Sequence, residues 1–469
     1  MSLAEAGAEV VLFEALTYPG GCASTFTRRG LRFEAGATLS SGLGEQQLFG
    51  RWIRRHELPV EVDWIDPVVE VRAPGFALQV SRDRAAFVDA LCALPGAPVG
   101  ALQAFFEEQR QLADVLWELF DDPELLPPVT LSSLAAHLWR SPRYAPLLPW
   151  VARPLAAGLR ARGLEGWAPL RTCLGGLCQI TVQCPPEEAE APFALAAMDY
   201  YWRGTGHIRG GIGRLAEALA GAVGRLGGQV RFAQRVRSLR REGAVWRVEA
   251  RDGAVEAPVV VSNLLPGDTA SLLDPSTMSS ARAALERRHA PVADGWGAVM
   301  LYGVAPEAAL PPAAHHYDLT VDPDLPLTDG NHVFVSLAAP DDARGTPPGG
   351  RAYTASTHVS LRDLRDGDPG AIVAAIQARM RGTIRDLAPE LGPPILEMTA
   401  SPRTFARFTR RRDGAVGGVP RRAGWANYAH LWPESPAPGL WLAGDTVFPG
   451  QSTFAAALGG TRVARAIRG

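Results

Sequence analysis

The sequence predicts an α/β fold in which a doubly wound, Rossmann-like sheet is interleaved with an α+β lobe. Three observations carry this. Residues 8–13 (AEVVLF) read as a buried parallel strand that ends on Glu14. Residues 439–443 (GLWLA) read as a second, followed at once by Gly444-Asp445. Between these ends, a helix over residues 210–226 and strands over 228–236, 246–250 and 259–262 repeat the alternation of a parallel sheet. The chain has 469 residues, which at roughly 150 per domain gives two or three lobes.

At the N-terminal end, Ala4-Glu5-Ala6-Gly7 closes a helix, with Gly7 as its stop. Glu14 then occupies the strand end at which a dinucleotide-binding fold holds a ribose, because its two oxygens can accept from both ribose hydroxyls. That fold also carries an earlier strand and a G-x-G-x-x-G turn about twenty residues before the acid. Only 13 residues precede Glu14, and none of them forms the turn. A G-x-G-x-x-A match at residues 211–216 follows WRGTGHIR, which is no buried strand, so it reads as a glycine-rich helix entry. After Pro19, Gly20-Gly21 lets the backbone approach a pyrophosphate with its N–H groups turned inward. A plain turn is the other reading, and Glu14 just before it favours the first.

Further along, residues 101–120 place Leu102, Phe105, Phe106, Leu112, Val115, Leu116 and Leu119 close to helical spacing. Residues 134–159 mix Trp139 and Trp150 with prolines and arginines. An apolar tunnel or a membrane-facing cap has this composition, and so does an ordinary helical core; spacing favours the core. After Phe448-Pro449-Gly450, residues 451–464 read as a helix with small residues on successive turns, its N-terminus open to negative charge.

Composition excludes several function classes. The 47 basic residues, all arginine, against 49 acidic ones leave a net charge of −2, which argues against nucleic-acid binding. At 47% hydrophobic and 20% charged, the chain can bury a sizeable core. Cys22, Cys92, Cys173, Cys178 and Cys184 have the spacing of neither a disulfide framework nor a zinc site, so reduced thiols in a cytoplasmic protein are expected. His315, His316, His332 and His358 lack ligand spacing, and no metal site is expected. No apolar run reaches the ~18 residues of a membrane-spanning helix. Arg410-Arg411-Arg412 and Arg421-Arg422 either meet anionic lipid headgroups or stand in solvated loops. Hydrolytic and phosphoryl-transfer motifs are absent, and no catalytic acid or base stands out.

Three blocks carry a family resemblance: EALTYPGGCASTFTRRGLRFEAGATLSSG from Glu14, SPRTFARFTRRRDGAVGGVP from Ser401, and GLWLAGDTVFPGQSTFAAALGGTRVARAI from Gly439. Together the chain resembles the phytoene-desaturase-like flavoproteins, the FAD-dependent carotenoid desaturases and isomerases of the flavin amine oxidase superfamily. It departs from them in lacking the first strand and glycine turn, in Cys22 where relatives often carry arginine, and in Glu34 where many have aspartate. The resemblance implies an amine-oxidase-type FAD lobe from residues 1–75, 205–275 and 425–469, without its first strand. The substrate lobe, with a helical cap, would then be 76–204 and 276–424. It implies Glu14 on ribose, Gly20 and Gly21 near the pyrophosphate, Gly36, Ala37 and Thr38 beside the flavin ring, and Val236 at the adenine. Gly444 and Asp445 would meet the ribityl chain, and Gly450, Gln451, Ser452 and Thr453 the pyrimidine edge.

The implied activity is desaturation of an acyclic carotenoid, with quinone or oxygen as electron acceptor. The implied setting is the cytoplasm, including peripheral contact with the inner face of the cell membrane. Cis–trans isomerisation on reduced flavin, saturation of a retinol-like substrate, and a flavin-free protein that binds apolar ligands are the alternatives. Because the absent strand would be central to the sheet, the sequence also predicts that the natural protein starts upstream and that the 469-residue form holds FAD poorly.

Overall fold

The structure is a computed structural model that describes all residues, 1–469. Short aliphatic runs form the parallel strands, and they assemble as two separate pairs. Strand β1 (Val11–Phe13) pairs in parallel with β2 (Gln229–Arg231), and β3 (Val260–Ser262) pairs in parallel with β4 (Leu440–Leu442). Alternate residues of a parallel strand address opposite neighbours. The Gln229 N–H donates to Val10 O, and the Glu14 N–H to Arg231 O, so Val11 and Phe13 address the edge that no strand covers. In the same way the Val260 N–H donates to Gly439 O, and Ser262 O accepts from the Ala443 N–H, which leaves Val261 on an open edge. Leu12 and Val261 are 40% and 39% exposed, unusual for strands of a doubly wound sheet. Both pairs still share one core, where Phe13 and Val260 pack on Trp246, Leu440, Leu442 and Val447.

A seven-stranded sheet forms the second layer system. Its order is Leu396–Ala400, Trp296–Pro306, Gly350–Ser360, His332–Leu337, His315–Thr320, Val69–Ala73 and Phe76–Val80. All neighbours run antiparallel except His315–Thr320 beside Val69–Ala73. The sequence assigns Val69–Ala73 to the first segment of the cofactor lobe, yet it is hydrogen-bonded into this sheet. Its alternation buries Val69, Val71 and Ala73 on one face, and the hairpin to Phe76–Val80 keeps both strands together.

Helices cover this sheet and form a cap: α1 (Val99–Asp121), α2 (Leu131–Tyr144), α3 (Ala168–Thr181) and α4 (Ala191–Met198). As its spacing predicts, α1 buries Leu102, Phe105, Phe106 and Leu112. Gln109 is buried beside them because its Nε2 donates to Leu195 O and Asp199 Oδ1, each at 2.9 Å. A capping box of Thr130 and Ser133 starts α2. Over residues 134–159 the core reading holds for Trp150, Leu155 and Leu159 and fails for α2. That helix exposes Leu134, Leu138 and Trp139, since periodicity marks an apolar face and not what covers it. The last helix, α5 (Thr453–Arg468), seats Phe454 and Leu458 in one cluster with Trp117 and Phe448. No helix is long and apolar enough to cross a membrane.

Candidate functional site

Hydrogen bonds between short loops bring the two chain ends together. Gly20 and Gly21 have φ of 113° and 57°, and a Cβ on Gly20 would lie 2.7 Å from Ala23 O, so only glycine fits that turn. The following loop is tied to it by the Ala35 N–H donating to Ser24 O at 2.8 Å and the Ala37 N–H to Cys22 O at 3.1 Å. Gly36 lies against Cys22 O, where a Cβ would come within 3.1 Å, and Thr38 is buried next to it. Two residues on, the Ser40 and Thr453 hydroxyls share a hydrogen bond of 2.9 Å, joining this loop to the start of α5. Glu14 stands at the end of β1, its Oε1 accepting from the Leu16 N–H at 2.7 Å. Burial pushes its carboxyl up in pKa, against the pull of the Leu16 and Ala15 N–H groups. Val236, half-buried, packs on the cluster of Trp246 and Leu440.

Asp445 follows β4 and Gly444 and forms a half-buried ion pair with Arg411, 2.9 Å from Oδ2 to Nη2. Arg411 also donates to Ala415 O at 2.7 Å and to Gly417 O. The Cys22 thiol lies beside this pair, and burial pushes its pKa up although Arg411 pulls the other way. A cation therefore does stand at the position of Cys22, supplied by a residue almost four hundred positions later. The backbones close tightly here: a Cβ on Gly418 would come within 1.7 Å of Asp445 O, and one on Gly444 within 2.1 Å of Asn263 Oδ1.

These placements divide the arginine runs: Arg410 and Arg422 are exposed, as a solvated loop has them, and Arg411 and Arg421 turn inward. Arg411 is half-buried on Asp445, Arg412 pairs with Glu286 at 2.9 Å, Arg422 pairs with Glu188 at 2.7 Å, and Arg421 is buried. Nothing in the run Arg410-Arg411-Arg412 distinguishes the member that pairs with Asp445, because that partner is distant in sequence.

Above the N-terminus of α5 lies a chamber of about 90 Å³. Trp117 and Phe120 of α1, Phe193 of α4, Phe454 and Leu458 of α5 make it apolar, and eleven of its eighteen lining residues are hydrophobic. Gln183, Arg421, Gln451 and Ser452 contribute its polar part. Ser452 has φ 110° and ψ 157°, a backbone conformation that strains any residue but glycine, and its Oγ accepts from the Ala455 N–H at 3.0 Å to cap α5. Gly450 and Gln451 lead into this turn; Gln451 Nε2 donates to Ile180 O, which ties it to the end of α3.

These residues fit a flavin nucleotide by the chemistry of its parts. Glycines 36, 418 and 444 sit where a Cβ would strike neighbouring atoms, so flat contact surfaces are preserved. The start of α5 favours negative charge, Glu14 offers oxygens to hydroxyls, and Gly20-Gly21 turns backbone N–H groups to an anion. Asp445 reaches a ligand hydroxyl only by sharing its carboxylate with Arg411.

Comparison with known proteins agrees with that chemistry. Residues 2–468 match the family described as flavin containing amine oxidoreductase, and the chain belongs to that family. It is an FAD-dependent oxidoreductase of the carotenoid desaturase and isomerase type within it. Hydroxyneurosporene desaturase of Cereibacter sphaeroides is 27% identical over 99% of this chain and 94% of its own length. Prolycopene isomerase of Arabidopsis thaliana is 23% identical over 99% of this chain and 79% of its own. Among solved structures, an oxidoreductase from Methanosarcina mazei shares the fold with a TM-score of 0.65 at 17% identity, covering 99% of this chain and 95% of that one.

Proposed function

We propose that this flavin-dependent oxidoreductase desaturates a long apolar polyene, most simply an acyclic carotenoid. The single observation that carries the reading is the aromatic chamber at the start of α5, with Trp117, Phe120, Phe193 and Phe454 converging where the conjugated ring of a flavin would be met. The names of the desaturase and isomerase relatives support the same substrate class. When bound, the flavin supplies reversible hydride acceptance, with quinone or oxygen as final acceptor. The chain's own residues exclude water from the chamber, orient an apolar chain among its aromatic faces, and hold the cofactor through Glu14, Gly20, Gly21, Gly36, Ala37, Thr38, Val236, Gly444, Asp445, Gly450, Gln451, Ser452 and Thr453. No side chain in the chamber is assigned a proton-transfer role.

A polyene of this kind resides in a bilayer, and the uncovered face of α2 supports peripheral contact with the inner face of the cell membrane. Leu131 and Trp139 are 88% and 80% exposed there, with Leu138 beside them and Arg140 and Arg143 on the same helix.

The test is incubation of FAD-loaded protein, in lipid and with quinone, with acyclic carotenoids, followed by mass and absorption analysis. Loss of two hydrogens with a red-shifted spectrum is expected. The prolycopene isomerases among the relatives favour a second reading, cis–trans isomerisation, which would change retention and leave mass unaltered. Unchanged substrate under both oxidising and reducing conditions would overturn both.

A further inference from the structure

The hairpin of Thr25–Arg28 and Leu31–Glu34 runs directly into the loop that carries Gly36, Ala37 and Thr38. Leu31 and Phe33 of this hairpin pack on Ala298, Met300 and Val304 of the strand Trp296–Pro306 and on Phe405, so the loop is held against the seven-stranded sheet. Tyr302, on the same strand, carries the only hydroxyl of that buried cluster. It is 5% exposed, and its ring meets Phe26 edge-on at 5.0 Å and Phe33 at 5.7 Å. A phenylalanine would make the same apolar contacts. The hydroxyl does one further thing: it donates to Ala35 O at 2.7 Å. Burial pushes its pKa up, so it stays protonated and remains a donor.

That bond fixes a peptide plane. The Ala35–Gly36 peptide is trans, so its C=O and N–H point to opposite sides. With the carbonyl held by Tyr302, the Gly36 N–H is turned away from Tyr302, and it has no acceptor in the protein. Its neighbours differ. The Ala35 N–H donates to Ser24 O at 2.8 Å and the Ala37 N–H to Cys22 O at 3.1 Å. The loop thus bonds alternate N–H groups to the segment 22–24 and leaves those of Gly36 and Thr38 unbonded. Gly36 is also wedged in place, since a Cβ there would stand 3.1 Å from Cys22 O and 3.7 Å from the Phe405 ring. A fixed, unbonded N–H is a partial positive charge at a set position, and it favours the more electron-rich state of a group beside it without having to reorganise.

We propose that Tyr302 is a positioning residue for the flavin: by holding Ala35 O it presents the Gly36 N–H to the ring and biases the cofactor toward its electron-rich reduced form. The inference rests on the placement of Gly36 beside the flavin ring, and it adds a residue of the seven-stranded sheet that sets the potential.

The test is the midpoint potential of bound FAD in the flavin-loaded full chain, measured by reduction against a reference dye, for wild type and Tyr302→Phe. The variant keeps the ring and loses only the hydroxyl. Its preference for reduced over oxidised flavin should fall about tenfold, which is a midpoint lower by about 30 mV for a two-electron couple. Phe26→Leu loosens the same aromatic contact and leaves the hydroxyl, so it should lower Tm and leave the potential unchanged. If Tyr302→Phe does not fold, Gly36→Ala is measured in its place; its Cβ presses on Cys22 O and turns the same peptide, and it should lower the potential too. A Tyr302→Phe potential equal to that of wild type, or equal shifts in Tyr302→Phe and Phe26→Leu, would overturn the proposal and leave Tyr302 a packing residue. If wild type takes up no flavin, the cofactor reading of this loop falls, and this one with it.

Discussion

Ser452 combines a strained backbone with a useful side chain, and the two can be separated by substitution. Its φ of 110° and ψ of 157° belong to a region held almost only by glycine, at a cost of about 1–3 kcal/mol, while its Oγ caps α5. Ser452→Gly relieves the strain and loses only a few tenths of a kcal/mol of capping, so Tm should rise. Ser452→Ala keeps the strain and loses the cap, and should lower stability by about 1 kcal/mol; equal Tm values for the two would show that the backbone is not strained. His316 is a second residue with a definite sign. It is fully buried, stacked on Phe334, and neither ring nitrogen has a partner. Burial, helped by His207 and His315, drives its pKa well below the ordinary 6.5. Below that pH the unfolded chain takes up a proton that the native protein refuses. Stability should therefore fall as pH drops from 6.5, by about 1.4 kcal/mol per pH unit from this group, and His316→Phe should flatten the slope in denaturant titrations. At this scale the glycines and Glu14 were legible because each acts through its own local backbone. Arg411 and Arg421 were not, because their roles come from Asp445 and the chamber wall, which meet them only in the folded chain.

Helix α2 shows how far an element can be read from its periodicity. Thr130 and Ser133 form its capping box, and its apolar spacing is real, yet the face it defines is uncovered where that of α1 is buried. If that face lies on a membrane, Leu138→Glu with Trp139→Glu should lower co-sedimentation with phospholipid vesicles about tenfold. Tm should stay within a few degrees, since both side chains are already exposed. Unchanged sedimentation would remove α2 from the membrane contact. Strand Val69–Ala73 teaches the complementary lesson. It was not read as a strand from the sequence, and its partners, His315–Thr320 and Phe76–Val80, place it in the sheet.

On the scale of the whole molecule, the parallel strands stand as two pairs with open edges at β1 and β3. Amides that address those edges, Val11, Phe13 and Val261, should exchange with solvent faster than Leu12 and Ser262, which bond within the pairs. Protection of Val11 and Val261 as strong as that of their neighbours would mean that the edges are covered in solution.

The sequence by itself determined the class of strand and helix at each end of the chain, the acid at the end of β1, the glycine turns and the amine-oxidoreductase membership. All of these are written in contiguous residues whose backbone demands are local. Only the tertiary structure decided which arginine pairs with Asp445, which is buried in the chamber wall without an ion-pair partner, which apolar face is left to solvent, and which sheet takes Val69–Ala73. Those outcomes depend on burial and on partners tens to hundreds of residues away, and the desolvation and pairing energies that select them arise only when the chain is packed.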